Sequence, residues 1–230
     1  MSHNNFQIFY AGYAATMPSM YFNRVLMVSQ FAQHSNEDVK AAMTGQFNYL
    51  REQGGPNVQL IKKAVDIAGT FEIGTKPMPR LPDDYFDWIK FYTEGFEKKF
   101  EITSTEYHSF IFARKATEAM VNLGLMQTAL ILTTHSKKNI NLFADIEKWI
   151  KELSSITLLM FAPSIMLIRS TGKNCFEELK TLIVNGADEL SQLNITQANE
   201  EGITKFTDKV DSLLHEINML FQTCATALKE

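Results

Sequence analysis

Apolar residues recur at three- and four-residue spacing along most of the chain, the mark of amphipathic helices. The last such stretch is the most regular, with Val210, Leu213, Ile217, Leu220, Cys224 and Ala227. It predicts a helix with an a/d seam of about two and a half heptads, short of the three to four a coiled coil needs. Ile140, Phe143, Ile146, Trp149, Leu153, Ile156 and Met160 predict another helix, ended or kinked at Pro163. Phe112, Ala116, Met120, Leu123 and Leu130 share one face of a third, which runs to about Thr134. Thr103-Ser104-Thr105-Glu106 has the form of a capping box at its start. After Thr171-Gly172, Phe176, Leu179, Leu182 and Ile183 predict a fourth.

The first third is less regular. A helix from about Pro18 is expected to break near His34 and restart at Ser35-Asn36-Glu37-Asp38, an S-x-x-D helix start. It should run to Glu52, before Gly54-Gly55. Pro56 then suits the first helical position of a short segment with Val58, Ile61, Val65 and Ile67. Residues 74–82 carry three prolines and form the clearest loop. They separate a unit at 1–73 from a main bundle at 82–230, or join the two as one continuous domain. Pro82 is placed to open the next helix, with Tyr85, Phe86, Trp88, Ile89, Tyr92 and Phe96. Before Arg24 the chain is uncharged and rich in Phe and Tyr, without the basic region of a signal peptide. It reads as an aromatic arm packed on the body. The expected fold is all-α, an irregular or elongated bundle of about six to seven helices with this aromatic N-terminal arm.

Two stretches, 119–136 and 153–168, contain no Lys, Arg, Asp or Glu. As helices they would span about 27 Å and 24 Å, slightly short of a ~30 Å hydrocarbon core. Asn122, Gln127 and Thr128 dilute the first, and Ser154, Ser155 and Ser164 the second. Two readings remain: central helices covered on most faces, or apolar faces that meet a lipid surface.

Composition narrows the function classes. Only 11 Gly and 6 Pro in 230 residues exclude collagen-like and low-complexity chains. A 45 % hydrophobic content excludes global disorder. The net charge of −4, with no basic stripe, argues against nucleic acid as a partner. Two cysteines cannot make a disulfide framework, although one bridge is open to them. Cys224 falls on the apolar stripe of the last helix. Cys175 falls near a helix start beside Lys173, where its thiol would be more acidic.

Familiar catalytic signatures are missing: no GxGxxG, GxxxxGK[ST], GxSxG, HExxH or CxxC occurs. The residues three before His34, His108, His135 and His215 are Phe31, Thr105, Leu132 and Ser212. The Glu-x-x-His pairs of a bundle di-iron site are therefore absent. Asp211 and His215 are four apart on the last helix, and two ligands do not make a metal site. Asp83-Asp84-Tyr85-Phe86-Asp87 resembles the DDxxD motif of isoprenoid diphosphate synthases and terpene synthases. The resemblance implies Mg²⁺ held by Asp83, Asp84 and Asp87, and a prenyl diphosphate substrate. It covers five residues, and the second metal motif of that family is absent. A helix opened by Pro82 accounts for the same aspartates through its dipole.

The leading expectation is a non-enzymatic helical interaction protein without a cofactor. It would engage a partner protein, a second copy or a membrane surface through apolar helix faces. The candidate contact residues are Val210, Leu213, Ile217, Leu220, Leu130, Leu158, Leu159 and Phe161. The alternatives are the Mg²⁺-dependent enzyme and a carrier of an apolar ligand. The expected location is cytoplasmic, or exported without a conventional signal peptide, with membrane association open to it.

Overall fold

Seven helices form among the described residues, and no strand. They are α1 (Asn5–Thr16), α2 (Pro18–Ser29), α3 (Glu37–Ala68), α4 (Thr105–His135), α5 (Phe143–Thr171), α6 (Cys175–Gln192) and α7 (Glu200–Ala227). The computed structural model describes residues 5–68, 101–137, 139–196 and 199–229, with isolated helical positions between 87 and 98. The loop 74–82 and the start of the helix expected after it lie outside these residues.

The uncharged run 119–136 explains why α4 stands at the centre. Every side of a helix without charges there can be covered at no electrostatic cost. All six other helices pack against α4. Ala119 through Met126 are buried without a break, and so are Thr128, Ala129, Leu130, Leu132 and Thr133. One hydrophobic cluster runs from Phe9 to Leu228, so the N-terminal helices and the later ones share a core.

The aromatic arm is itself helical. Ile8, Phe9, Gly12 and Tyr13 of α1 are buried against α4 and α7. The rings of Phe9 and Phe221 lie 4.6 Å apart, and those of Tyr13 and Phe221 5.2 Å apart. Gly12 marks the closest approach of α1 to α4. A Cβ there would sit 2.4 Å from the carbonyl oxygen of Phe110.

Two helix starts follow side-chain caps, one residue later than the sequence motifs suggest. Asn36, not Ser35, caps α3, its Oδ1 accepting from the N–H groups of Asp38 and Val39 at 2.9 and 3.2 Å. Ser104, not Thr103, caps α4, its Oγ accepting from the N–H of Tyr107 at 3.1 Å. The expected break at Gly54-Gly55 does not occur, and Pro163 does not end its helix. The third helix continues through Gly54-Gly55-Pro56 to Ala68, held to the bundle by Leu50 before them and Ala64 after them. The fifth continues through Pro163 and stops at Gly172, whose φ of 69° suits a residue without a side chain. In both cases tertiary packing outweighs the local cost of a proline.

Arg24 is buried between α2 and α4. Its Nε donates to Thr128 Oγ1 at 2.7 Å, one Nη donates to Gln127 Oε1 at 3.0 Å, and the guanidinium lies over the Tyr49 ring at 5.5 Å. Burial lowers its pKa, opposed by Tyr49. Gln127 in turn donates to Asp211 at 2.8 Å, which ties α2, α4 and α7 into one polar chain.

Burial, and then Tyr10, push the Tyr13 hydroxyl from 10.0 up to about 12. The unfolded chain therefore ionises first. Stability from a neutral Tyr13 is complete below pH 10 and is lost as the pH rises towards 12. The loss should reach about 2–3 kcal/mol. Urea midpoints should fall from pH 9 to pH 12, and Tyr13→Phe should flatten that fall. Equal slopes for the two proteins would contradict the assignment.

Candidate functional site

A helix at the surface of a bundle needs one apolar stripe, and α5 has one. Ile146, Ile150, Leu153, Thr157, Met160, Ser164 and Leu167 are buried, at three- and four-residue spacing, against α4 and α6. The opposite side should then be polar. Instead it carries Leu158 at 78 % exposure, Leu159 at 56 % and Phe161 at 58 %. Exposed Ala162 and half-buried Ile165 and Met166 extend the surface. The two uncharged runs thus have different fates: the one in α4 is covered by its neighbours, and the one in α5 is half open. Among the described residues, only α5 is long and apolar enough to cross a membrane, and 39 % of its most apolar window is buried.

Charged groups frame this apolar face. Lys148 and Lys151 are exposed on the turns before it, and Arg169 and Lys173 on those after it. From α6, the Lys180 ammonium lies 4.9 Å from the centre of the Phe161 ring. Lys180 also donates to Glu177 at 2.7 Å, and Ser164 Oγ donates to the same carboxylate at 3.2 Å. The bond from Lys180, with help from Ser164, holds the Glu177 carboxyl below its ordinary value. Pro163 has no N–H to donate, so the carbonyl of Leu159 lacks its usual helical donor.

The structure divides the sequence-predicted contact residues into two groups. Val210, Leu213, Ile217 and Leu130 are buried in the chain's own core, and Leu220 is half-buried. The seam of α7 is thus spent on α4 and α6 and is not a surface. Leu158, Leu159 and Phe161 are exposed and adjacent. Asp83 and Asp84 lie outside the described residues, and Asp87 is helical and exposed. Asp211 and His215 are both exposed, and Asp211 is engaged by Gln127. No group of three His, Cys, Asp or Glu side chains is placed to hold a metal among the described residues. Lys180 was not singled out from the sequence. Its place three residues after Glu177 signals an ion pair, but nothing local points to Phe161 on another helix.

A cleft of about 380 Å³ adjoins the face, with Leu159 and Ser155 on one wall and Thr16, Arg114, Glu118 and Asn122 among the others. Arg114 and Lys115 both pair with Glu118, at 3.2 and 2.6 Å. Comparison with known protein families, with curated proteins and with solved structures found no significant match.

Proposed function

We propose that this chain is a non-enzymatic helical interaction protein whose contact surface is the outer face of α5, and that the surface it meets is lipid. The observation that carries the reading is the exposed trio Leu158, Leu159 and Phe161, clustered within four residues of one helix, whereas the comparably exposed Ile102 and Met219 lie elsewhere in the chain. Three further features favour lipid over a protein partner. Leu158 and Phe161 stand exposed on the outer side of α5, and only Leu159 also borders the cleft beside it. The stretch around it is free of charge from 153 to 168. Lys148, Lys151, Arg169 and Lys173 flank it at both ends, where they would meet headgroups. The unsupplied carbonyl of Leu159 and the buried inner face of α5 favour lying in the interface over spanning the bilayer.

Burial of three such side chains, each already partly covered, is worth roughly 4 kcal/mol, or about a thousandfold in partitioning. The test is flotation of the full chain with phosphatidylcholine vesicles containing phosphatidylserine, beside Leu158→Ser/Leu159→Ser/Phe161→Ser. The native chain should float and the variant stay at the bottom, while still unfolding cooperatively with only the small loss of stability that the Lys180 contact implies. A native chain that ignores vesicles overturns the reading, and so does a variant that floats equally. A native dimer that becomes monomeric in the variant would instead assign the face to self-association.

A further inference from the structure

The packing of α3 on α4 leaves a crevice of about 330 Å³, lined by Ala41, Ala42, Gly45 and Gln46 of α3 and by Ile131 and His135 of α4. The small residues make the room. A Cβ at Gly45 would meet nothing within 4 Å. Ala41 and Gly45, four residues apart on α3, are exposed, and Ala42 and Gln46, the next pair round the helix, are buried. The crevice therefore descends from solvent to a buried amide. A volume of this size lies at the small end of the range for ligand pockets.

That amide is incomplete. Gln46 is 3 % exposed, and its Oε1 has no hydrogen-bond partner. A buried acceptor gives up its bond to water on folding, and no described residue replaces it here. The last side-chain torsion of a glutamine is soft, so the amide can turn to meet a donor in the crevice. The His135 Nδ1 lies 2.9 Å from the carbonyl oxygen of Ile131, which can only accept. Nδ1 therefore carries the proton, and Nε2 of the neutral ring is an acceptor. None of the six lining residues is Lys, Arg, Asp or Glu. Two acceptors and no charge call for a neutral ligand that donates. A floor of two alanines and a glycine, beside Ile131 and an imidazole, suits a flat ring.

We propose that this crevice binds a small neutral ring compound carrying an O–H or N–H group. The ring lies against Ala41, Ala42, Gly45 and Ile131, and its donor supplies the hydrogen bond that Gln46 Oε1 lacks. An ordinary surface groove gains from apolar contact alone. Here the donor adds to that gain, because it removes the cost of an unpaired buried oxygen. The site shares no residue with the outer face of α5 and is independent of the lipid reading.

Phenol and toluene are the probes, since they are alike in shape and differ in one hydroxyl. Each is titrated into the isotope-labelled full chain, and NMR follows the Gly45 backbone amide and the Gln46 side-chain amide. Phenol should move both resonances with a Kd of about 1 mM, and toluene should bind about tenfold more weakly. Gln46→Leu keeps the bulk of the side chain and removes its amide. It should unfold at no lower temperature than the native chain and bind the two probes equally, read at Gly45. Gly45→Leu fills the room above the floor and should bind neither. The proposal is overturned if phenol moves neither resonance, which leaves the crevice to water alone. It is also overturned if the native chain binds toluene as well as phenol, if Gln46→Leu keeps the preference, or if Gly45→Leu still binds phenol. Gly45 is exposed, so its variant and the native titrations decide the matter even where Gln46→Leu does not fold.

Discussion

Gly12→Ala is expected to destabilise the protein by about 2 kcal/mol, although alanine is the better helix former. The added Cβ would meet the Phe110 carbonyl oxygen at 2.4 Å and the Arg114 nitrogen at 3.1 Å. Both are backbone atoms of α4 and cannot rotate aside, so the two helices must separate. Overpacking of this kind costs up to about 3 kcal/mol, against a propensity gain of about 1 kcal/mol. Gly45→Ala is the matched control. Its Cβ meets nothing within 4 Å, so it should gain up to about 1 kcal/mol from propensity alone. Gly186→Ala falls between them, because its Cβ meets a side chain rather than backbone, the Leu213 methyls at 2.6 and 2.7 Å and its Cγ at 3.3 Å. Urea midpoints of the three variants check the order. Equal stability of Gly12→Ala and Gly45→Ala would show that α1 does not press on α4 in this way.

The features legible in the sequence are those carried by period. The α7 stripe of Val210, Leu213, Ile217 and Cys224 is buried as its spacing implies. The end of α4 falls one residue beyond the expected one. Punctuation was the less reliable guide. Gly54-Gly55 read as a stop, Pro56 as a new start and Pro163 as an end or a kink, yet helices continue through all four. A local breaker weakens a helix by a few kcal/mol at most, and packing of the flanking turns offsets that. The α1 segment was legible as aromatic and packed, but not as helical. Its residues are buried on nearly every side, so no polar face reveals a period.

The exposed face of α5 was half legible. Once Leu153, Met160 and Leu167 are assigned to the core, Leu158, Leu159 and Phe161 fall off that stripe, and their exposure follows from geometry alone. What the sequence could not provide was the difference between the two uncharged runs. Their compositions are similar, and only the arrangement of α1, α2, α3 and α7 around α4 shows which run is covered.

Phe112→Ala is expected to cost about 3–5 kcal/mol, the range for removing a fully buried ring. Phe112 is 0 % exposed on α4. It stacks on Phe9 of α1 at 6.3 Å and meets Phe176 of α6 edge-on at 5.3 Å. Phe9 continues to Phe221 of α7, so one line of rings joins four helices. Domains of this kind have about 5–15 kcal/mol in total, so the variant should sit near the edge of folding. Phe112→Leu keeps most of the volume and should lose only about 1–1.5 kcal/mol. Phe161→Ala is the decisive comparison. The same residue type on the open face of α5 should cost no more than about 1 kcal/mol, the worth of its contact with Lys180. Denaturation of the three variants reads the order directly. A Phe161→Ala loss as large as that of Phe112→Ala would mean that the α5 face is held for stability. A negligible loss leaves three large apolar side chains on a surface where folding does not need them, as a contact surface requires.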